Sequence, residues 1–188
     1  MQIENTSFLG KLAYRMRIYL NSFKYRLLAI RSNTIIPLST LLIIHPGGKV
    51  TMGGSCTIGR YATISVLPGA ELKIGSNTII NHCCTIYCAN SIIIGEDVRI
   101  AHNTTIVDHD YDTSNFEQRF IGKLLGKINI QKNAWIGASC VLLRDTSLGD
   151  YAVVGAGSII KGEFPGFSII KNHRDIIVTT QKKPPMPC

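Results

Sequence analysis

A six-residue period runs without a break from Ile130 to Ile160, and it constrains the fold more than any other feature of the chain. Ile130, Ile136, Leu142, Leu148, Val154 and Ile160 stand at every sixth position. Two places before each of the last five is a small residue: Ala134, Cys140, Thr146, Ala152, Ser158. An amphipathic helix needs apolar residues three and four apart, and a half-buried strand alternates at two. A period of six fits neither and marks a short-period repeat. The physical solution is a triangular parallel β-helix, in which each hexad supplies one short strand and one corner. Three hexads close a coil, and coils stack at strand spacing. The aliphatic residue points into the tube, and the small residue sits at a tight corner. Gly137, Gly149 and Gly155, each directly after an aliphatic, are expected to help the backbone turn.

The pattern resembles the hexapeptide-repeat acyltransferases, and that resemblance implies an all-β, left-handed parallel β-helix. The hand comes only from the resemblance, since parallel crossovers are right-handed as a rule. Weaker hexads extend the repeat toward the N-terminus through Met52, Ile58, Ile64, Ile74, Ile80, Ile86, Ile94, Ile100 and Ile106. Ten residues separate Ile64 from Ile74 and eight separate Ile86 from Ile94, so bulges are expected at Val66–Gly69 and at Ala89–Asn90. From Ile106 to Ile130 the step is 24, which leaves about 18 residues outside the wall. A long excursion from a regular scaffold usually carries function.

The chain divides into an N-terminal helical segment (1–33), the β-helix (34–178, with an excursion at 107–127) and a basic, Pro-rich tail (179–188). In the first segment Leu9, Leu12, Met16, Leu20, Phe23 and Leu27 recur at helical spacing, among Lys11, Arg15, Arg17, Lys24, Arg26 and Arg31 and no acid. This amphipathic basic helix is expected to cap the end of the tube. The rival expectation is a peripheral contact with anionic lipid. A last strand is expected within Ser168–Val178.

Charged residues make up 17% of the chain and aromatics 7%, which suits a thin aliphatic tube. The formal charge of +8 favours an acidic partner such as a phosphorylated substrate. With no helix-turn-helix or RNA-binding signature, nucleic acid is not expected. Cys56, Cys84 and Cys140 each stand two before a core aliphatic, as small apolar fillers, and no pair has zinc-site spacing. The absence of a disulfide framework or an N-terminal signal pattern points to the cytosol.

The excursion opens with Asp108, His109 and Asp110. Imidazole titrates nearest neutrality, so His109 is the candidate general base, with Asp108 or Asp110 to hold its tautomer. Ile100–Ile106 followed by Asp108-His109 resembles the galactoside, maltose and Nod-factor O-acetyltransferases, and equally the capsule and exopolysaccharide acetyltransferases. In those enzymes a histidine of the same excursion takes the acceptor proton. The most specific matching run is Asn133-Ala134-Trp135-Ile136-Gly137-Ala138. The resemblance implies that Trp135 lines the thioester end of an acetyl-CoA groove and that the Ala138 amide faces the thioester carbonyl. It implies further that Ala156 and Gly157 let the pantetheine arm lie close, and that Lys161 meets a CoA phosphate. Asn81 and Asn103 hold positions where sugar-acetylating members contact the acceptor. The chain departs from the family where it reads Lys171-Asn172-His173-Arg174-Asp175 in place of a Gly-Asn-Pro-Ala-Lys-like run; Lys171 or Arg174 is the candidate phosphate contact there.

The resulting expectation is an acetyl-CoA-dependent O-acetyltransferase for a sugar hydroxyl of a surface polysaccharide or its precursor. It would work as a homotrimer with sites between subunits, with no metal. Rival readings are transfer to another small acceptor (an antibiotic, serine or an amino sugar), a carbonic-anhydrase-like zinc enzyme using His82, His102 and His109, and a non-catalytic scaffold.

Overall fold

The computed structural model describes residues 8–112 and 122–172. They form one helix, α1 (Phe8–Arg31), followed by a parallel solenoid with three faces. The first face stacks two-residue strands whose inward residues are Ile58, Ile80, Ile100, Ile136, Val154 and Ile170. The second stacks Leu42, Ile64, Ile86, Ile106, Leu142 and Ile160. The third stacks Met52, Ile74, Ile94, Ile130, Leu148 and Phe164. The hexad aliphatics therefore meet their own copies one coil away, and from Ile58 to Ile160 each is at most 4% exposed. This is the expected parallel β-helix of hexapeptide repeats.

Partners on the second face lie 22 residues apart (Ile64 with Ile86), then 20 (Ile86 with Ile106), 36 (Ile106 with Leu142) and 18 (Leu142 with Ile160). All the excess over 18 falls at the corner between the second and third faces. The expected bulges at Val66–Gly69 and Ala89–Asn90 and the long excursion are stacked on that one edge of the tube. From residue 52 onward the other two corners keep strict sixes. In the last full coil the chain passes that edge inside one strand, Val141–Leu148, turning at Asp145.

Into the first face, and into the second from Ile64 onward, corners turn at a left-handed residue three places before the inward aliphatic, and Asp145 does the same before Leu148. Asn77, Asp97, Asn103, Asn133 and Asp145 fill this place with φ between 56° and 65°, and Asn and Asp reach that conformation at least cost. The glycines after the aliphatics have another role, and here the turning reason is corrected. Gly137 and Gly149 have no positive φ. A Cβ on Gly137 would stand 2.6 Å from the Ala156 nitrogen and 2.9 Å from the Val154 oxygen. Glycine is needed there because two coils approach closely.

The cysteines need a correction too. They are buried and small as expected, but their thiols are donors. Cys56 reaches the Gly75 carbonyl at 3.1 Å, Cys84 that of Ala101 at 3.2 Å and Cys140 that of Gly155 at 3.2 Å. Thr78 and Thr104 do the same to Gly95 (2.8 Å) and Gly137 (3.0 Å). Where the small inward residue is Cys or Thr, it thus ties one coil to a carbonyl of the next, satisfying polar atoms that water cannot reach.

α1 packs on the open edge of the first coil. Ser22 Oγ donates to the Leu42 carbonyl and Asn21 Nδ2 to that of Ile44 (3.2 Å), while Tyr25 Oη accepts from the Val50 amide (3.3 Å). Tyr14 Oη lies 2.7 Å from His45 Nδ1. A sheet edge is thereby covered. Among the described residues no helix is long and apolar enough to cross a membrane. Among the described residues the last strand is Ile169–Ile170, and Lys171 and Asn172 are not strand; residues 173–178 of the expected last strand (with Arg174), the tail and the middle of the excursion (113–121) lie outside the described residues.

Candidate functional site

The excursion leaves the wall immediately after Val107, which still pairs with Tyr87, and returns at Lys127. Its root is an antiparallel hairpin of His109–Tyr111 with Lys123–Leu125. Asp108 is the first residue off the wall and is wholly buried. Its Oδ1 accepts the Ala89 amide at 2.7 Å and its Oδ2 the Asn90 amide at 2.8 Å. His109 Nδ1 lies 3.3 Å from the same Oδ1, and the His109 side chain is only 9% exposed. The Tyr87 ring packs on the imidazole, with centroids 4.9 Å apart. The Asn90 side chain donates to the Gly126 carbonyl at 2.8 Å, and the Gly126 amide donates to the Asp108 carbonyl at 2.8 Å. Both legs of the excursion are therefore pinned to the Ala89–Asn90 bulge of the coil below.

This arrangement decides between the two flanking carboxylates. Asp110 is 63% exposed and faces Arg144 Nε at 3.5 Å. Asp108 faces the imidazole. A carboxylate acceptor at Nδ1 favours the proton there and leaves the Nε2 lone pair as an acceptor. Close by, the Cys88 thiol is pushed up to about 12, first by burial and then by the Asp108 charge and hydrogen bond. It stays protonated and is no nucleophile.

The other expected site residues lie elsewhere on the tube. Asn81, Asn103, Ala138, Ala156 and Gly157 share the corner between the first and second faces, one coil above another; Asn103 amide to His82 carbonyl, Ser139 to His102 and Gly157 to Ala138 run up this column. Asn103 is the left-handed corner residue of its coil (φ 60°), and its side chain donates to Ser139 Oγ at 3.1 Å. Asn81 lies at its corner without a positive φ, the left-handed residue there being Cys83, so a left-handed backbone does not account for it. Lys161 and Lys171 are exposed. Trp135 is 56% exposed on the first face, between Arg99 and Val153. That face is opposite the edge bearing His109, so one chain does not bring Trp135 and His109 together.

His82 and His102 also sit on the first–second corner, and His82 Nδ1 accepts the Arg60 amide at 2.9 Å. Within one chain they do not converge with His109, and among the described residues no three His, Cys, Asp or Glu side chains are placed to hold a metal ion. Sequence reasoning missed Ala89 and Asn90 as partners of Asp108, and Tyr87 as the ring packed on His109. The two extra residues at Ala89–Asn90 were the available signal.

Residues 127–162 match the family described as bacterial transferase hexapeptide (six repeats). Over those residues the chain is similar to that family. Galactoside O-acetyltransferase of Escherichia coli (strain K12) is 34% identical over 98 residues, 52% of this chain and 48% of that protein. The protein of the same strain named for lipopolysaccharide biosynthesis O-acetyl transfer, WbbJ, is 23% identical over 136 residues, 68% of this chain and 69% of its own. The chain spans about half the length or less of most curated relatives it matches. Among solved structures, the hexapeptide-repeat acetyltransferase VCA0836 of Vibrio cholerae superposes with a TM-score of 0.59 at 17% identity, covering 89% of this chain and 94% of that one. It is also known in complex with acetyl coenzyme A. The hexapeptide-repeat likeness thus extends over the solenoid as a fold.

Proposed function

We propose that this hexapeptide-repeat protein is an enzyme that transfers the acetyl group of acetyl-CoA to a sugar hydroxyl, with His109 as general base. The observation that carries the reading is the buried Asp108–His109 pair, fixed by two backbone amides at the root of the excursion. Galactoside O-acetyltransferase and WbbJ supply the acceptor class by their names, and a surface polysaccharide or its precursor is the acceptor we favour.

The acceptor hydroxyl attacks the thioester carbonyl. Its proton passes to His109 Nε2 as the C–O bond forms. The C–S bond then breaks, and the imidazolium returns the proton to the departing thiolate. Asp108 touches no reacting atom; it is a positioning residue that stabilises the cationic ring. No protein nucleophile is required, because the thioester is already activated and a ternary complex supplies proximity. Trp135, Ala138, Ala156, Gly157 and Lys161 hold acetyl-CoA on this reading, and Asn81 and Asn103 meet the sugar. Trp135 and His109 lie on opposite sides of a single tube, which supports a cleft formed between copies in a homotrimer. A cytosolic enzyme has acetyl-CoA to hand.

The test is CoA release from acetyl-CoA across a panel of sugars and nucleotide sugars. His109→Ala should lower kcat by about 10²- to 10⁴-fold on whichever acceptor is used. An unchanged rate removes His109 from the mechanism, and a chain inert to every hydroxyl acceptor removes the reaction.

A further inference from the structure

A surface helix ordinarily turns its apolar stripe to the core and its polar face to water. α1 does the opposite. Tyr14, Asn21, Ser22 and Tyr25 meet the first coil. At about 100° per residue, Leu12, Met16, Tyr19, Leu20 and Phe23 fall on the far side, and their exposures run from 50% to 73%. Leu38, in the loop beside the helix, is 92% exposed and extends the stripe, as does Leu41 at 54%. Single apolar side chains on a surface call for no account, but a continuous patch does.

The charges around the stripe select its partner. Arg15 lies on one flank, and Arg17 and Lys24 on the other, all exposed. No Asp or Glu occurs anywhere in the 24 residues of the helix. A second copy of the chain seated on this face would bring two acid-free basic flanks together, and like charges at short range repel. An anionic lipid surface complements both parts, with phosphate headgroups against the flanking cations and acyl chains against the stripe. The sheet edge has already taken the polar side chains of α1, so among the described residues the apolar stripe is left exposed.

We propose that α1 is an interfacial helix that lays Leu12, Met16, Tyr19, Leu20 and Phe23 into an anionic lipid surface while its other face stays bonded to the first coil. Capping the tube and meeting lipid then belong to opposite faces of one helix. The proposal is independent of the acetyl-transfer reading, and its test does not use activity.

The full chain is floated with vesicles of equimolar phosphatidylglycerol and phosphatidylcholine, and with phosphatidylcholine alone, at low and at high salt. The expected result is binding to the anionic vesicles that salt weakens, and little binding to phosphatidylcholine. The double variant Leu20→Glu, Phe23→Glu should lose at least tenfold in binding. Arg15→Gln, Arg17→Gln and Lys24→Gln should each lose about fivefold. All these side chains are exposed, so the thermal midpoint should not move, and it serves as the folding control. Three results overturn the proposal. One is no flotation on anionic vesicles at low salt. Another is unchanged flotation of the double variant. The third is a double variant whose assembly size drops in light scattering while the native chain ignores lipid, which makes the stripe a contact between copies.

Discussion

Replacing Asp108 by asparagine is the most discriminating single change in the candidate site. The carboxylate is wholly buried and accepts from the Ala89 amide (2.7 Å) and the Asn90 amide (2.8 Å), with His109 Nδ1 at 3.3 Å. Asparagine keeps the shape, but one oxygen becomes an NH2 group, which can only donate. With the amide turned toward Asn90, a donor faces a donor and that N–H is stranded. With it turned the other way, the Ala89 amide and the imidazole lose their acceptor together. Either orientation loses a hydrogen bond to a charged group, about 1.5–3 kcal/mol, and buries an unpaired donor, about 1–3 kcal/mol. The two overlap, so the net cost is about 2–4 kcal/mol. At about 2–4 °C per kcal/mol for a chain of this size, the thermal midpoint should fall by about 4–16 °C. The catalytic loss is separable: measured well below both midpoints, kcat should fall by about 10²-fold or more while KM for acetyl-CoA holds, because only proton transfer depends on the tautomer. Asp110→Asn is the control, since a side chain 63% exposed should change stability by no more than about 0.5 kcal/mol. An Asp108→Asn variant with native midpoint and native kcat would refute both halves of the reasoning.

Alkaline pH provides a second test. Cys88 is pushed up to about 12 by burial and by Asp108, so between the ordinary thiol range and that value the unfolded chain releases a proton that the folded chain keeps; stability should fall as pH rises, at up to about 1.4 kcal/mol per unit. Denaturant midpoints from pH 9 upward should decline less steeply in Cys88→Ala, and parallel declines would exclude Cys88 as a source of the slope. Thr104→Val should cost about 1–3 kcal/mol, because it strands the Gly137 carbonyl and takes the acceptor from the Cys140 amide, whereas Thr104→Ser keeps both partners and should cost less. Equal melting points for the two variants would show that the buried hydroxyl ladder contributes nothing.

The six-residue period made the faces, the inward aliphatics and the long detour legible, because each depends on one side chain's direction along one strand. What it hid depends on neighbouring coils. Cys84 and Cys140 fit a filler's volume, and their donor role appears only when the carbonyls of Ala101 and Gly155 arrive from the next coil. Gly137 looked like a turning residue because spacing does not reveal how near Ala156 comes. Asp108 and Asp110 are alike in sequence, and only burial distinguishes them. In α1 the periodicity shows an apolar stripe but carries no sign of which way it faces. The open carbonyls of Leu42 and Ile44 draw Asn21 and Ser22 inward, and the leucines turn out.

Confinement of every insertion to one edge has a physical basis and a consequence. Parallel stacking needs the strands of successive coils in register on all three faces, so an extra residue is tolerated only where the chain leaves the wall and re-enters at the same place. Stacked bulges can also serve one another: the Ala89 and Asn90 amides, two residues beyond a strict coil, receive the carboxylate of the coil above. The opposite face pays nothing for this and stays a plain ladder of two-residue strands from Thr57–Ile58 to Ile169–Ile170. The tube therefore has one built-up edge carrying His109 and, across from it, one flat face carrying Trp135. On the proposed reading, a ring of copies sets the edge of one against the flat face of the next, joining two groups that no single tube can join. Lengthening the excursion would then alter the acceptor side of such a cleft without disturbing the ladder that presents Trp135, which allows one scaffold to keep its acyl donor while its acceptor changes.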